Sequence, residues 1–236
     1  MTSIPLILDE PHDCGYFSNR KAQFAYIYPE EILDTELYAQ LIEHGFRRSG
    51  DHVYRPQCEG CQQCVQTRLA PHAFKASRQQ RRVWKKNADI KATICSTEFK
   101  QQHFELYQRY QQHRHSEGSM ANSNEKDYIK FLSSVWCNSI FVEFSLDNEI
   151  IGVAVMDIFN TAASAVYTFF EPSFASRSLG VYAVLWQIEY AKTQQFDWLY
   201  LGYWIENCQK MAYKTNYQPL HGLINEQWQC LEKSSV

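Results

Sequence analysis

The stretch of sequence that decides the fold spans residues 169–217, and its centre reads Arg177-Ser178-Leu179-Gly180-Val181-Tyr182. From Val181 onward, apolar residues recur at spacings of 3, 4 and 7, which predicts a helix with one buried face. Ser178 is expected to cap this helix, because its hydroxyl can accept from the free N–H groups of the first turn. The small residues also leave room there for a phosphate or a developing oxyanion.

The residues on either side of this helix predict strands of one sheet. After it, alternation over 198–204 places Trp198, Tyr200, Gly202 and Trp204 on one face and Leu199, Leu201 and Tyr203 on the other. Before it, three apolar runs predict strands at 140–146, 150–159 and 163–170, the first two joined by an Asp147-Asn148 turn. The chain therefore has the strand–helix–strand order of an α+β protein.

Three motifs carry a resemblance to a known family: Ser178-Leu179-Gly180, Tyr203-Trp204-Ile205 and Lys210-Met211-Ala212-Tyr213-Lys214. They are similar to motifs of the aminoacyl-tRNA–protein transferases of the N-end rule, the arginyl-tRNA–protein transferase family. The chain looks most like the bacterial branch, the aspartate/glutamate leucyltransferases. This resemblance implies a GNAT-type acyltransferase mixed sheet flanked by helices, with a smaller N-terminal Cys-containing subdomain. We expect that subdomain at 1–75 and the GNAT-like aminoacyltransferase domain at 76–236.

The resemblance also implies an activity. Leucine would pass from leucyl-tRNA to the N-terminal α-amine of proteins that begin with Asp or Glu, marking them for N-end rule degradation. The ester bond supplies the energy, and the chain has no P-loop for a nucleotide triphosphate. Three alternatives stay open: an arginyl-tRNA–protein transferase, an acetyl-CoA-dependent N-acetyltransferase, and an RNA-binding module without catalysis.

Composition and charge bound the protein's class. Its hydrophobic content of 45% is ordinary for a globular protein. No apolar run reaches the length of about 20 residues that spans a bilayer, and no signal peptide is evident, so we expect a cytoplasmic protein. The net charge is −3, yet the segment 75–91 carries seven cations against one acid. Such concentration of charge indicates a directed basic surface, as for a nucleic acid.

That basic segment is expected to bind transfer RNA. If it is helical, Arg78, Arg81, Arg82, Lys85 and Lys86 share one face, and Trp84 and Asn87 could contact an unpaired base. Ser178 and Gly180, at the start of the helix described above, are the other expected tRNA-binding residues. The alternative for the basic face is an ordinary solvated surface.

Four cysteines form a candidate metal site. Cys58, Cys61 and Cys64 have the spacing of a thiolate cluster, and Cys14 is a plausible fourth ligand. Eukaryotic relatives carry Cys-Gly-Tyr-Cys where this chain has Cys14-Gly15-Tyr16-Phe17. No cofactor is required for the implied reaction, but these thiols could hold zinc or an iron–sulfur cluster. The alternative is a set of reduced thiols in a tight loop.

The remaining site residues are polar or aromatic groups near the predicted strand ends. The expected acceptor-binding cations are Arg114, His115, Lys210 and Lys214, with Arg114 a receptor for the acceptor's side-chain carboxylate. The expected catalytic residues are Asp157, Tyr203 and Glu171, of which Asp157 or Tyr203 could relay a proton. The expected aminoacyl pocket is Phe169, Tyr182 and Trp204. The alternatives are solvated cations, a turn acid at Glu171 and plain core packing.

Overall fold

The computed structural model describes residues 4–28, 32–114 and 123–232 of the chain. Its α-helices are α1 Thr35–Glu43, α2 Arg78–Lys86, α3 Gln101–Arg114, α4 Glu125–Leu132, α5 Leu179–Thr193 and α6 Gln209–Ala212. Short 3-10 helices cover Pro71–Ala73, Pro172–Arg177 and Tyr213–Asn216. The strands are β1 Leu6–Leu8, β2 His12–Asp13, β3 Lys21–Ala22, β4 Phe24–Ile27, β5 Arg47–Ser49, β6 His52–Pro56, β7 Val65–Leu69, β8 Lys91–Cys95, β9 Ser139–Leu146, β10 Glu149–Ile158, β11 Ala162–Phe170, β12 Trp198–Trp204, β13 Leu220–Ile224 and β14 Gln227–Leu231.

Eight strands form one large sheet in the order β14-β13-β7-β12-β11-β10-β9-β8. Strands β11 and β12 run parallel, because α5 connects them as a crossover helix, and the other neighbouring pairs run antiparallel. Asp147 and Asn148 both have positive φ, at 49° and 68°, as a type I′ hairpin turn between β9 and β10 requires. The α+β class and a mixed sheet flanked by helices are confirmed.

Alternation along β10 separates the two faces of this sheet. Ala154 and Met156 pack in a core with residues of α5, whereas Val153 and Val155 pack in a core with α3 and α4. Helix α2 lies on the α5 side and contacts that helix directly. The basic helix and the start of α5 therefore share one face of the sheet.

The predicted alternation along β12 holds only as far as a bulge. Tyr200 packs with α1 and Leu201 with α5, as expected, but the register with β7 shifts between Tyr200 and Gly202. Gly202 has φ +80°, a value that glycine adopts without strain. One inserted residue exchanges the faces beyond it. Trp204 consequently packs on the α5 side rather than beside Tyr200, which corrects the prediction.

A second sheet, β1-β4-β6-β5, packs with α1 against the large sheet. Tyr38 of α1 and Val53 of β6 belong to one apolar cluster with Phe159 and Tyr200. Strand β7, although it precedes residue 75, lies in the large sheet between β12 and β13. The boundary between residues 75 and 76 stays a prediction. Within the described ranges, no helix combines the length and apolarity needed to cross a bilayer.

Candidate active site

The parallel strands β11 and β12 separate soon after they begin. Their pairing joins Ala162 to Trp198, Ala163 to Leu199 and Ser164 to Tyr200. Beyond these pairs, β11 continues to Phe170 and β12 to Trp204 without pairing to each other in the described structure. The result is a gap that opens toward the carboxyl ends of both strands, which is where α/β sheets commonly bind ligands.

The guanidinium of Arg47 lies at the floor of this gap. Its Nη2 donates to the carbonyl oxygen of Ala165, the first residue past the last strand pair, at 2.9 Å. A Cβ on Gly202 would come within 2.6 Å of Nη1, so only glycine allows this approach from β12. Arg47 is 8% exposed, and its Nη1 has no partner among the described residues.

Lys214 is a second buried cation beside the gap. It lies in the 3-10 helix Tyr213–Asn216, is 3% exposed, and donates from Nζ to Sδ of Met211 at 3.7 Å. No carboxylate of the described residues pairs with it. Burial, and then the charge of Arg47, lower the pKa of Lys214 to about 7. Lys210, by contrast, is exposed, so the structure does not bring these two lysines into one site.

The end of α3 borders the gap on the opposite side. Gln111 donates from Nε2 to the hydroxyl of Tyr167, on β11, at 3.0 Å. Arg114 is exposed, and it is close enough to influence the pKa of both Tyr110 and Tyr167. Arg114 therefore lies near these two tyrosines at the end of α3, and its assignment as an acceptor-binding residue stays a prediction. His115 lies outside the described residues.

The three expected catalytic side chains are all engaged elsewhere. Asp157 is fully buried, and its partners are Arg48 and the hydroxyl of Ser139. Tyr203 donates its hydroxyl to the carbonyl oxygen of Gly45 at 2.9 Å, and burial raises its pKa well above the ordinary value. Neither group is placed to move a proton in the gap.

Glu171, the third of these residues, follows β11 directly. It accepts from Nε of Arg109 at 2.8 Å and from the hydroxyl of Ser173 at 3.2 Å. Burial is the largest influence and raises its pKa, but the hydrogen bonds from Arg109 and Ser173 and the charge of Arg109 together outweigh burial, and the pKa is lowered. Glu171 therefore starts the 3-10 helix Pro172–Arg177 as a charged cap, in accordance with the alternative of a turn acid.

Helix α2 presents the basic face that the sequence predicts. A capping box of Ser77 and Gln80 fixes its start. The five cations are exposed: Arg78, Arg81, Arg82, Lys85 and Lys86. Trp84 is 39% exposed, and its inner surface contacts the ring of Tyr182 at 5.4 Å between centroids, which leaves an outer face for a base.

Hydrogen bonds tie α2 to both sides of the candidate site. Lys86 donates to the carbonyl oxygen of Ser176 at 2.8 Å, next to the start of α5. Gln80 donates to the carbonyl oxygen of Asn216 at 3.0 Å, two residues beyond Lys214. Asn87 is buried and donates to Arg177, which corrects the expectation that its side chain contacts an unpaired base.

The start of α5 is open, but for a different reason than predicted. Ser178 adopts the left-handed conformation, with φ 55° and ψ 47°, and its side chain makes no capping hydrogen bond. The prediction of a Ser178 cap was wrong, because a residue in that conformation turns its hydroxyl away from the first turn. Gly180 packs on Phe170, where a Cβ would lie 3.3 Å from the ring. The first-turn N–H groups thus remain without a side-chain acceptor.

The expected aminoacyl pocket is divided between two cores. Phe169 is fully buried among Tyr107 and Tyr128, on the α3 side of the sheet. Tyr182 and Trp204 pack on the α5 side. Side chains alternate between the two faces of the sheet along β11, and Phe169 points to the α3 side. The structure therefore does not bring Phe169 together with Tyr182 and Trp204.

The four expected cysteine ligands line one pocket that also reaches Tyr203 and Tyr54. Burial, and then the nearby thiols of Cys58, Cys14 and Cys61, raise the pKa of Cys64 to about 12. No three of these four sulfurs lie within 4.8 Å of one another in the described part of the chain, so the structure does not show a metal-binding arrangement, and the assignment stays a prediction. Among described residues, the group with three potential ligand atoms within 4.8 Å is instead Cys95, His103 and Glu143.

Lys100 already supplies a cation to that second group. Its Nζ lies 2.6 Å from the carboxylate of Glu143, which His103 also contacts at 2.8 Å. We therefore interpret this group as an ion-pair network.

Arg47 is the site residue that sequence reasoning missed. The signal was the Arg47-Arg48 pair inside a short strand, where two cations on opposite faces cannot both reach solvent.

Comparison with known proteins identifies the family of this chain. Family models described as "Arginine-tRNA-protein transferase, N terminus" and "C terminus" match residues 12–82 and 102–224. A protein from Saccharophagus degradans named aspartate/glutamate leucyltransferase is 45% identical over 97% of this chain and 97% of its own length. One of the same name from Hahella chejuensis is 42% identical over 92% of this chain and 93% of its own.

Among solved structures, the C-terminal domain of a protein described as a lysylphosphatidylglycerol synthetase from Agrobacterium fabrum superposes with a TM-score of 0.48. Its identity is 10%, and the match covers 78% of this chain and 56% of that one. The two family models and the full-length relatives decide the assignment. The chain belongs to the arginyl-tRNA–protein transferase family, among the members named aspartate/glutamate leucyltransferase.

Proposed function

We propose that this protein transfers leucine from leucyl-tRNA to the N-terminal α-amine of proteins that begin with Asp or Glu, which marks them for N-end rule degradation. The names of relatives at 42–45% identity support leucine as the donor group and acidic residues as acceptors. Since aminoacyl-tRNA is made and used in the cytoplasm, we place the reaction there.

One structural observation carries the proposal. Helix α2, which carries the exposed basic face, is hydrogen-bonded through Lys86 to Ser176, beside the start of α5, and through the buried Gln80 to Asn216, beside Lys214. A phosphate backbone bound along this face would direct its 3′ end toward the gap between β11 and β12. Trp84 offers a stacking surface on the way for an unpaired base. An acetyltransferase that uses acetyl-CoA has no use for so long a basic face.

The chemistry needs little from side chains. The amine nitrogen attacks the ester carbonyl carbon, the new C–N bond forms, and the C–O bond to the ribose breaks. One proton leaves the attacking nitrogen, and one is gained by the ribose oxygen. An α-amine has a pKa of about 7.7–8.0, so a useful fraction is already neutral near pH 7.5. Positioning and stabilisation of the oxyanion are then the main tasks of the protein.

The backbone N–H groups of Leu179 and Gly180, in the first turn of α5, are the donors for that oxyanion. The N–H groups of Val181 and Tyr182 already donate to the carbonyl oxygen of Ser178, and the Ser178 side chain caps none of the first turn. Asp157 and Tyr203 hold other hydrogen bonds and are not needed as bases in this scheme. The ester bond between leucine and the ribose supplies the driving force, and the ribose hydroxyl is the leaving group.

The test is a transfer assay with labelled leucyl-, arginyl- and phenylalanyl-tRNA and with peptides that begin with Asp, Glu, Arg or Ala. We expect label to pass from leucyl-tRNA to the Asp and Glu peptides. Transfer from arginyl-tRNA instead would assign the protein to the other activity of its family. Acetylation of the same peptides by acetyl-CoA, without tRNA-dependent transfer, would refute the proposal.

A further inference from the structure

Arg47 and Lys214 are two buried cations that share one environment and lack an anion. Their exposed fractions are 8% and 3%, and neither forms an ion pair with an acid of the described residues. Burial of an unpaired charge is unfavourable, and proteins tolerate it mainly where a ligand supplies the opposite charge. The pair is therefore the strongest sign of a ligand site outside the basic face of α2.

The donors of this pair are incompletely used. Arg47 donates from Nη2 to Ala165, but its Nη1 is buried without a partner. Lys214 contacts the sulfur of Met211 and the face of the Tyr213 ring, with Nζ 4.7 Å from the ring centroid. A thioether and an aromatic ring are weak partners for an ammonium group. The Arg47 guanidinium and the Lys214 ammonium are therefore two strong N–H donors, beside the gap between β11 and β12, that lack strong acceptors among the described residues.

We propose that Arg47 and Lys214 bind the side-chain carboxylate of the acceptor's first residue. The inference rests on the proposed function, which it deepens by naming the groups that select Asp and Glu. It also moves the receptor from Arg114, which is exposed at the end of α3, to a buried pair at the floor of the gap. A guanidinium and an ammonium together can satisfy both carboxylate oxygens.

A carboxylate fits this place better than a nucleotide phosphate. Arg47 reaches Ala165 between two strands, on a floor closed by Gly202. A phosphodiester continues in both directions and needs an open track, which the exposed face of α2 provides. A side-chain carboxylate ends the ligand and can enter the narrow end of the gap.

Selection against neutral residues follows from the same burial. A Gln side chain has the shape of Glu, but it would leave the Arg47 guanidinium without a counter-charge and would not favour the charged form of Lys214. We expect wild-type kcat/KM for a Glu peptide to exceed that for the matched Gln peptide by at least about 100-fold, since sites built around buried polar partners reject ligands that lack them strongly.

The test uses the full-length variants Arg47→Gln and Lys214→Met, with Lys126→Met as the matched control because Lys126 is exposed on α4. The Glu-to-Gln preference should fall below about 10-fold in both site variants and stay unchanged in the control. Leucyl-tRNA affinity, measured by filter binding, should stay within about twofold of wild type in all three. Lys214→Arg, which restores the charge, should recover part of the preference.

A second readout requires no transfer. The groups that face Lys214 are Arg47, Cys208, Met211 and Tyr213. Because the pKa of Lys214 is about 7 in the free protein, it is mostly neutral at pH 7.5, and a bound carboxylate would protonate it. Titration calorimetry in two buffers should show that wild type takes up more protons with the Glu peptide than Lys214→Met does.

Each outcome decides the matter. Equal binding of Glu and Gln peptides by wild type, or equal proton uptake by wild type and Lys214→Met, would overturn the inference. So would variants that keep the Glu preference and lose leucyl-tRNA affinity, because the pair would then bind the nucleotide. If wild type transfers no leucine at all, the proposed function fails, while the peptide-binding comparison still decides this site.

Discussion

Arg48 donates from Nε to Oδ2 of Asp157 at 2.8 Å, and neither side chain is exposed to solvent. The pair joins strand β5 of the N-terminal sheet to strand β10 of the large sheet. Arg48 uses its remaining donors on the carbonyl oxygens of Leu132 and Gly50. Its role is to hold two layers in place, which sets the position of the adjacent Arg47 in the gap.

Replacement of Asp157 by Asn should therefore act on stability before it acts on chemistry. Removal of one charge of a buried pair leaves the other uncompensated and typically costs about 3–5 kcal/mol. Urea denaturation should show this loss. Asp147→Asn is the control, because Asp147 is exposed in a turn whose φ of 49° Asn accepts readily. A folded, fully stable Asp157→Asn protein without activity would instead restore a catalytic role for Asp157.

If the basic face of α2 binds tRNA, its cations should determine how strongly leucyl-tRNA affinity depends on salt concentration. In Arg82→Ala plus Lys85→Ala, the slope of log K against log salt for leucyl-tRNA binding should become shallower by about 1.4–1.8, or 0.7–0.9 per lost phosphate contact. Lys126→Ala plus Lys130→Ala on α4 removes the same charge from another surface and should leave the slope unchanged. Filter binding at several salt concentrations measures it. Equal slopes in the two double variants would contradict the proposed tRNA track.

Gly202→Ala should lower transfer activity by displacing the guanidinium of Arg47. The new Cβ would lie 2.6 Å from Nη1 of Arg47, at a residue whose φ is +80°. Strain of this kind costs about 1–3 kcal/mol, and the guanidinium must also move. Gly60→Ala separates the two effects, because Gly60 has φ +65° and open space around it. Thermal unfolding of both variants, with transfer assays, should show activity loss beyond the stability loss only in Gly202→Ala.

Lys214→Met should make the protein more stable, and more so at low pH. The pKa of Lys214 is lowered to about 7 in the folded chain from 10.5, so the unfolded chain binds more protons between these values. Stability therefore rises as pH increases through that range, and the full penalty for burying the charge applies below pH about 7. The variant should gain a few kcal/mol at pH 6.5 and clearly less at pH 9.5, by urea denaturation. A gain independent of pH would show that Lys214 is not a buried titrating group.

The sequence predicted the elements better than their fine geometry. The Asp147-Asn148 hairpin and the helix that follows Ser178 both follow from local rules of turn chemistry and apolar periodicity. The bulge at Gly202 does not, because an inserted residue leaves the alternation of residue types intact while it exchanges the faces. Trp204 was assigned to the wrong face for this reason.

The site was predicted in part, for a related reason. Exposed cations on one helix face can be read from spacing, so the residues of α2 were identified correctly as a basic surface. Burial of Arg47 and Lys214, and the engagement of Asp157 by Arg48, depend on contacts across more than a hundred residues of sequence. No local pattern specifies which cation pairs with which acid.

The position of β7 between β12 and β13 has a consequence for how the chain is assembled. A ribosome completes β7 long before β12 and β13 are made. The large sheet can therefore form fully only when these two later strands pair with β7, one on each side. A break after residue 75 would give two polypeptides that each expose unpaired backbone edges. We expect them to aggregate when made alone and to regain solubility when co-expressed, in the manner of a split protein.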